Sequence, residues 1–185
     1  MKKYIRYPAK KILLLLYVFF LLIFCSQREK WHTTTLLYFD TLCEIKLRCS
    51  QDKFNSTLEE ITRIFSHIEE LFSPDSPFSD SRETLELFKI ARSIYYDSGG
   101  DFDISIAPLS SLWGFHDPPF RVPEHENILF VLKSTGLDKI EIEDHKLSLA
   151  PGMSLDWGGI AKGHGVDLAS KVCKERFISQ GLSLI

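Results

Sequence analysis

The sequence predicts an α+β fold for this chain, because strand and helix patterns follow one another along a single domain. From Leu42 to Cys49, apolar and polar residues alternate strictly, which is typical of a strand with one buried face. From Phe54 to Phe72, apolar residues recur every three or four positions, which is typical of an amphipathic helix. The ~160 residues that follow the N-terminal segment are enough for one domain with its own core.

The strand predicted over Leu42–Cys49 places four side chains on its buried face. They are Cys43, Ile45, Leu47 and Cys49. Six residues along one strand correspond to about 20 Å between the two cysteine Cα atoms, which is far beyond the ~7 Å limit for a disulfide. We therefore expect buried thiols. The chain has no CxxC or HxxxH spacing, so a metal site of those types is not expected.

Two helices are predicted after this strand. In the first, Ser56 and Glu59 are spaced as a capping box. The second starts at Asp80, with Glu83 three residues later, and stops at Gly99-Gly100. A loop with two prolines separates the helices. The second helix is expected to bury Leu85, Phe88, Ala91, Ile94 and Tyr95.

The second half of the chain predicts shorter elements. Residues 116–123 hold three prolines and predict an irregular loop, followed by a short helix around 124–134 and a strand pair around 139–149. A third helix has an apolar stripe made of Val166, Ala169, Val172, Cys173 and Phe177. Residues 182–185 read as the opening of a buried strand, so we expect the domain to be incomplete at the C-terminus.

The N-terminal segment predicts export. Five basic residues precede an apolar run from Ile12 to Phe24, which is shorter than the roughly 20 residues of a comfortable membrane span and fits the hydrophobic region of a secretory signal. Cys25 closes this run, as in bacterial lipoproteins, although Phe24 stands where a small residue is usual. We expect residues 1–25 to be a lipoprotein signal, or alternatively an uncleaved signal anchor. Residues 26–35 would be a linker and 36–185 the folded domain.

The charge of the exported part excludes one class of partner. Five of the 22 basic residues lie in the signal, so the remainder carries 17 basic and 25 acidic residues, a net charge near −8. We therefore expect no nucleic-acid partner.

A glycine-rich segment gives the clearest indication of a binding site. Leu155–Asp167 holds four glycines, Lys162 and two aspartates, where a short strand is predicted to turn into a helix. Backbone N–H groups approach an anion closely where side chains are absent, and a helix N-terminus adds its positive dipole end. The segment predicts a phosphate or pyrophosphate cradle with Lys162 as countercharge. The alternative is a flexible helix entry with a solvated lysine, in which His164 is only a polar residue of the first turn.

A second segment carries acidic and aromatic residues. Asp101 and Asp103 flank Phe102 just after the predicted end of the second helix, where they could equally be solvated loop residues. Trp113-Gly114-Phe115 could form a small aromatic core cluster or wall a site for a flat ring.

Together, the two segments resemble the ApbE family of FAD:protein FMN transferases. The resemblance is carried by Gly100–Leu109 with Leu112–Phe115, by Leu155–Gly163 with Val166-Asp167, and by Phe39-Asp40-Thr41 before the first strand. It covers residues 36–185, and it implies an ApbE-like fold, related to the T-fold, with an antiparallel sheet and packed helices.

The resemblance also implies an activity and a set of site residues. Members bind FAD and Mg²⁺ and transfer FMN from FAD to a threonine or serine hydroxyl of a partner flavoprotein, releasing AMP. By motif position, the flavin nucleotide would be bound by Phe39, Asp101, Phe102, Asp103 and Asp156, with Lys162 as countercharge. The carbonyl of Gly159 would bind Mg²⁺. Exported members imply a location at the cell inner membrane, anchored by lipid on the periplasmic side.

Several residues depart from the family pattern. Ile104 stands for the usual proline, Ser105 for threonine and His164 for a common tyrosine, and the loop after the first helix is shorter. The family's C-terminal third, which supplies further metal ligands, has no counterpart, so activity of this chain could be impaired. One alternative is therefore a non-catalytic flavin-binding or interaction lipoprotein, and another is a membrane-tethered structural domain without a ligand.

Overall fold

The computed structural model describes residues 29–73, 81–115, 118–176 and 182–184. Its strands are β1 (Lys30–Tyr38), β2 (Thr41–Cys49), β3 (Glu141–Glu143), β4 (Lys146–Ser148) and β5 (Leu182–Leu184). Its α-helices are α1 (Gln51–Phe72), α2 (Arg82–Asp97), α3 (Ala107–Trp113), α4 (His125–Val131) and α5 (Ala161–Glu175). Helices and antiparallel strands together confirm the predicted α+β class. None of the helices within these residues is both long and apolar enough to cross a membrane.

The main sheet has the strand order β1-β2-β5, and β3 pairs with β4 in a separate hairpin. β1 and β2 are antiparallel over their full length, from Lys30 opposite Cys49 to Tyr38 opposite Thr41. Residues 30–35, which the sequence assigned to a linker, form the first part of β1. β5 pairs antiparallel with β2 over three residues, which confirms the predicted strand after residue 181.

The turn between β1 and β2 has an unusual backbone. Phe39 and Asp40 both have positive φ, 56° and 54°, as in the type I′ turns that match the twist of a two-residue hairpin. Such turns usually hold glycine or asparagine, and a bulky residue at positive φ is strained. The strain is offset here by a contact from α1, because the backbone N–H of Phe39 donates to Oε1 of Glu69 over 2.8 Å.

The inner face of β2 packs on α1 and α5. Cys43, Ile45, Leu47 and Cys49 are all at most 1% exposed, and they contact a layer that includes Phe65 of α1. The alternation predicted for β2 is thus confirmed, as are the buried free thiols. Burial raises the pKa of the Cys43 and Cys49 thiols, because the charged thiolate would lose its hydration.

The helix starts differ in part from those predicted. α1 begins at Gln51, five residues before Ser56, so the predicted capping box is wrong. The Ser56 hydroxyl instead donates to the Lys53 carbonyl inside the helix. α2 is capped by Ser81, whose side chain accepts from the N–H of Thr84 over 3.0 Å. Asp80, predicted as the start, lies outside the described residues.

The remaining predictions of local structure are mostly confirmed. α2 ends at Asp97 and is followed by Gly99 and Gly100 at φ 68° and 92°, a backbone that favours glycine. Of the residues expected on its buried side, Leu85, Phe88 and Ala91 are buried, but Ile94 is 39% exposed. The short helix and the strand pair of the second half are both present, as α4 and as β3 with β4.

Candidate functional site

The two motif segments meet in space. The backbone N–H of Asp156 donates to the carbonyl of Ile104 over 2.7 Å. The ring of Phe102 lies against Gly159, since a Cβ built at Gly159 would be 3.2 Å from its Cε2. The segment after α2 and the segment before α5 therefore form one unit.

Asp156 organises the turn that leads into α5. Its Oδ1 accepts the N–H of Gly158 over 2.9 Å and starts the single 3₁₀ turn Trp157–Gly159. Its Oδ2 accepts the hydroxyl of Ser110, on α3, over 3.4 Å. A carboxylate accepts several hydrogen bonds at once, so Asp156 ties the glycine turn to α3 while it faces the pocket described next.

A pocket of about 270 Å³ opens where the hairpin turn, the end of α1, the glycine turn and the start of α5 converge. It is lined by Phe39, Asp40, Ile68, Glu69, Phe72, Ser73, Asp156, Gly158, Ala161 and Lys162. Its apolar side includes Phe72, whose ring centroid lies 4.9 Å from that of Trp157. Flat apolar surface of this kind suits an aromatic ring.

The charges of this pocket are mixed. Asp40, Glu69 and Asp156 contribute carboxylates, and Lys162 contributes a cation. Glu69 accepts from Phe39 and Asp156 accepts from Gly158, so both carboxylates also hold backbone in place. Because the three carboxylates would repel a phosphate, a phosphate in this pocket would bind on its positive side, at the start of α5.

The start of α5 provides that positive side. The helix begins at Ala161, preceded by Ile160, and no side chain caps it. The first N–H groups of a helix have no partner within the helix, and its dipole is positive at this end. Lys162, exposed in the first turn, adds a full charge. An anion placed at Gly158–Lys162 would therefore be stabilised.

The carboxylate of Asp103 holds the local backbone in place through hydrogen bonds. Its Oδ1 accepts both the N–H of Ser105, over 2.8 Å, and the Ser105 hydroxyl, over 2.7 Å. Ser105 is fully buried, and its oxygen accepts the N–H of Gly136 over 2.6 Å. This chain of hydrogen bonds fixes the first turn after Asp103 and joins it to the segment before β3.

The predicted site residues fall into three groups. Phe39, Asp156 and Lys162 line the pocket, whereas Phe102 and Gly159 contact each other beside it. Asp101, which is exposed, and Asp103 are not among the lining residues. Cys25 lies outside the described residues.

The predicted aromatic segment is not part of this site. Phe115 is 63% exposed and its ring packs on that of Phe120, so Phe115 belongs neither to a core cluster nor to this pocket.

Sequence reasoning missed several lining residues. Ile68, Glu69 and Phe72 belong to one helix face, and their pattern indicated only an amphipathic helix. Asp40 also lines the pocket, although the motif Phe39-Asp40-Thr41 predicted a binding role only for Phe39. His164, expected to be a plain polar residue, is paired with Glu83 of α2.

A magnesium site is not formed by the side chains of the described residues alone. Among residues 29–73, 81–115, 118–176 and 182–184, no three His, Cys, Asp or Glu side chains come together as a metal site would require. Mg²⁺ needs near-octahedral oxygen ligands. The Gly159 carbonyl, which the family resemblance assigns to Mg²⁺, is not joined by such a side-chain cluster in these ranges.

Comparison with solved structures defines the class of protein. The Pseudomonas stutzeri flavinyl transferase ApbE, in its apo form, has a TM-score of 0.73 at 25% identity, over 82% of this chain and 57% of that one. The ApbE protein of Thermotoga maritima has a TM-score of 0.77 at 24% identity, over 84% of this chain and 57% of that one. The fold is thus that of the ApbE proteins.

Sequence comparison gives the family. Residues 39–183 match the ApbE family, and the chain belongs to that family. A protein of Chlamydia trachomatis serovar D named FAD:protein FMN transferase is 32% identical over 146 residues, or 68% of this chain and 46% of that protein. A protein of the same name from Chlamydia muridarum is 30% identical over 145 residues, or 66% and 46%. The chain spans about half the length of these curated relatives.

Proposed function

We propose that this protein takes part in flavin transfer, moving FMN from FAD to a threonine or serine hydroxyl of a partner flavoprotein. The observation that carries the proposal is the pocket at Lys162, where an apolar wall, a cation and a helix N-terminus converge beside the paired motif segments. Relatives named FAD:protein FMN transferase support the same assignment.

The size and polarity of the pocket suit one part of FAD. At about 270 Å³ it falls just below the range of pockets that enclose drug-sized ligands. It can take one flat ring of FAD against Phe72, with the diphosphate at the start of α5. Lys162 and the N–H groups of the first turn would then bind the phosphate oxygens and hold the diphosphate in place.

The transfer itself balances without a redox change. The acceptor hydroxyl oxygen forms a bond to the phosphorus of the FMN half, the bond between that phosphorus and the bridging oxygen breaks, and AMP leaves. The hydroxyl proton passes to solvent or to a base. Charge accumulates on the phosphate oxygens in such reactions, so a fixed cation and oriented N–H groups lower the barrier.

Mg²⁺ dependence is part of the proposal. The carbonyl of Gly159 would supply one ligand, and FAD phosphate oxygens and water would supply others. Loss of transfer on chelation, restored by added Mg²⁺, would support this role. Full transfer in the presence of chelator would contradict it.

The test of the function is a transfer assay with FAD, Mg²⁺ and a periplasmic acceptor flavoprotein. We expect AMP release and an acceptor whose mass increases by one FMN. FAD retention without AMP would instead support the non-catalytic flavin-binding alternative. If FAD is not retained and no AMP is released, the proposal is wrong.

We also propose that the protein is held at the periplasmic side of the inner membrane by a lipid on Cys25. Support comes from the basic and apolar residues before Cys25, which resemble a lipoprotein signal. Mass spectrometry of the mature N-terminus would show a diacylated Cys25. An unmodified chain beginning at residue 1 would support a signal anchor instead.

A further inference from the structure

We infer that Glu83 is a positioning residue, which holds the first turn of α5 in place over the pocket. The inference rests on the proposed function and adds a residue to it. Glu83 lies in the first turn of α2, and its carboxylate contacts one histidine of α1 and one of α5.

Both contacts are hydrogen bonds to opposite oxygens of the same carboxylate. Oε2 of Glu83 is 2.8 Å from Nε2 of His67, and Oε1 is 3.1 Å from Nε2 of His164. An ionised carboxylate only accepts hydrogen bonds, so each Nε2 must carry the proton. Glu83 therefore fixes the protonated nitrogen of both rings and links three helices.

The link adjoins residues that line the pocket. His67 directly precedes Ile68 and Glu69, which line the pocket from α1, and His164 follows Lys162 by two residues on α5. The ring of Phe72 packs with its centroid 4.9 Å from Trp157 and 6.4 Å from His164. Glu83 thus supports two sides of the pocket through the ring of His164. One is the cationic side at the start of α5, and the other is the aromatic side at Phe72.

The burial of the three groups makes the link more than a surface ion pair. The His164 side chain is 16% exposed and the Glu83 side chain 28%, whereas His67 is 57% exposed. Water competes poorly for the Glu83–His164 bond, so its loss would be felt at the first turn of α5. The His67 bond, nearer to solvent, holds the carboxylate in orientation.

The first test is Glu83→Gln, which keeps the size of the side chain. A glutamine has one acceptor oxygen and one donor nitrogen, so it accepts from only one of the two histidines. Since the glutamine nitrogen faces the other ring with an N–H, the Nε2 of that ring can no longer donate, and we expect ¹⁵N spectra to show its proton moved to Nδ1 or the ring turned away. We also expect amide hydrogen exchange at His164, whose N–H donates to the carbonyl of Ile160 over 3.0 Å, and at Gly165 of the next turn to become about tenfold faster.

The same variant tests the link to ligand binding. FAD titration of the full chain should show an affinity about fivefold lower, since roughly 1 kcal/mol of ordering of the first turn is lost. Glu86→Gln is the matched control, because Glu86 lies one turn further along α2 and forms an exposed pair with Arg82. We expect the control to match the unchanged chain in both measurements.

A pair of variants at His164 provides a rescue. The side-chain nitrogen of His164→Gln takes the place of Nε2 and can donate to Glu83, whereas His164→Leu cannot. We expect His164→Gln to keep slow exchange at Gly165 and His164→Leu to behave as Glu83→Gln does. This pair also decides the question if Glu83→Gln does not fold.

Two results would overturn the inference. One is unchanged exchange at His164 and Gly165 in Glu83→Gln, and the other is equal behaviour of the two His164 variants. If the unchanged chain retains no FAD, the proposed function fails by itself, and the exchange data still decide whether Glu83 positions α5.

Discussion

The N–H of Asp156 donates to the carbonyl of Ile104 over 2.7 Å, and this bond joins two segments that lie far apart in the sequence. It places the glycine turn directly on the turn that follows α2. Neither segment has regular secondary structure long enough to be stable alone, so each depends on the other. Substitutions in one of the two segments should therefore disturb the structure of the other.

Gly159→Ala should destabilise the fold by about 1 kcal/mol, because the added methyl group crowds the ring of Phe102. The two groups would be only 3.2 Å apart. The matched control is Gly163→Ala, where an added Cβ meets nothing within 4 Å. Alanine in place of a helical glycine should raise the free energy of unfolding by about 0.5–1 kcal/mol. Urea denaturation measures both. Equal stability of the two variants would mean that Phe102 is not held against the turn.

Lys162→Met should lower the affinity for FAD about tenfold and leave stability nearly unchanged, because the lysine is exposed and acts on the ligand. Lys171→Met, on an exposed position of the same helix away from the pocket, changes the net charge equally and serves as control. Titrations at low and high salt should show a weaker salt dependence for Lys162→Met only. Identical curves for the two variants would remove Lys162 from the binding site.

Ser105→Ala should cost about 1–3 kcal/mol of unfolding free energy, since it leaves the buried N–H of Gly136 without its acceptor. Ser105 is fully buried and its hydroxyl also donates to Asp103. Ser111→Ala, at an exposed position on α3, should stay within about 0.5 kcal/mol of the unchanged chain. Thermal and urea unfolding check the difference, and a Ser105→Ala variant of full stability would be inconsistent with this hydrogen-bond chain.

The buried cysteines predict how stability depends on pH. Burial raises the pKa of the thiols of Cys43, Cys49 and Cys173, so the folded chain keeps their protons at a pH where the unfolded chain loses them. Their contribution is therefore complete below the unfolded pKa of about 8.5 and is lost as pH rises above it. Urea midpoints from pH 7 to 10 measure this loss.

The same burial predicts slow chemistry at these thiols. In a Cys25→Ser background at about pH 8, iodoacetamide should modify Cys43, Cys49 and Cys173 only after urea is added. Rapid modification of the folded chain would contradict the closed packing of β2 against α1 and α5.

Much of the fold could be predicted because its patterns are local. The alternation of β2 and the periodicity of α1 are written in consecutive residues, and both are confirmed. β1 was missed because Thr33, Thr34 and Thr35 interrupt any apolar alternation. Its pairing with β2, rather than its own pattern, makes it a strand.

The candidate site was predicted in part, for a related reason. The glycine segment indicated an anion site, since its glycines and its lysine, which favour anion binding, lie within a few residues of one another. The contact between Glu83 and His164 joins residues far apart in the chain, and no local sequence pattern predicts it. The turn at Phe39-Asp40 was equally hidden, because neither residue is one that positive φ normally selects.

The left-handed turn at Phe39 and Asp40 has a consequence for how the protein assembles. An isolated hairpin with this sequence would have little reason to adopt such a backbone, so the strand pair depends on the acceptor that Glu69 brings from α1. Sheet and helix should then acquire their native arrangement together instead of one preceding the other. The rim of the pocket would consequently be among the last features to form and among the first to loosen under denaturing stress.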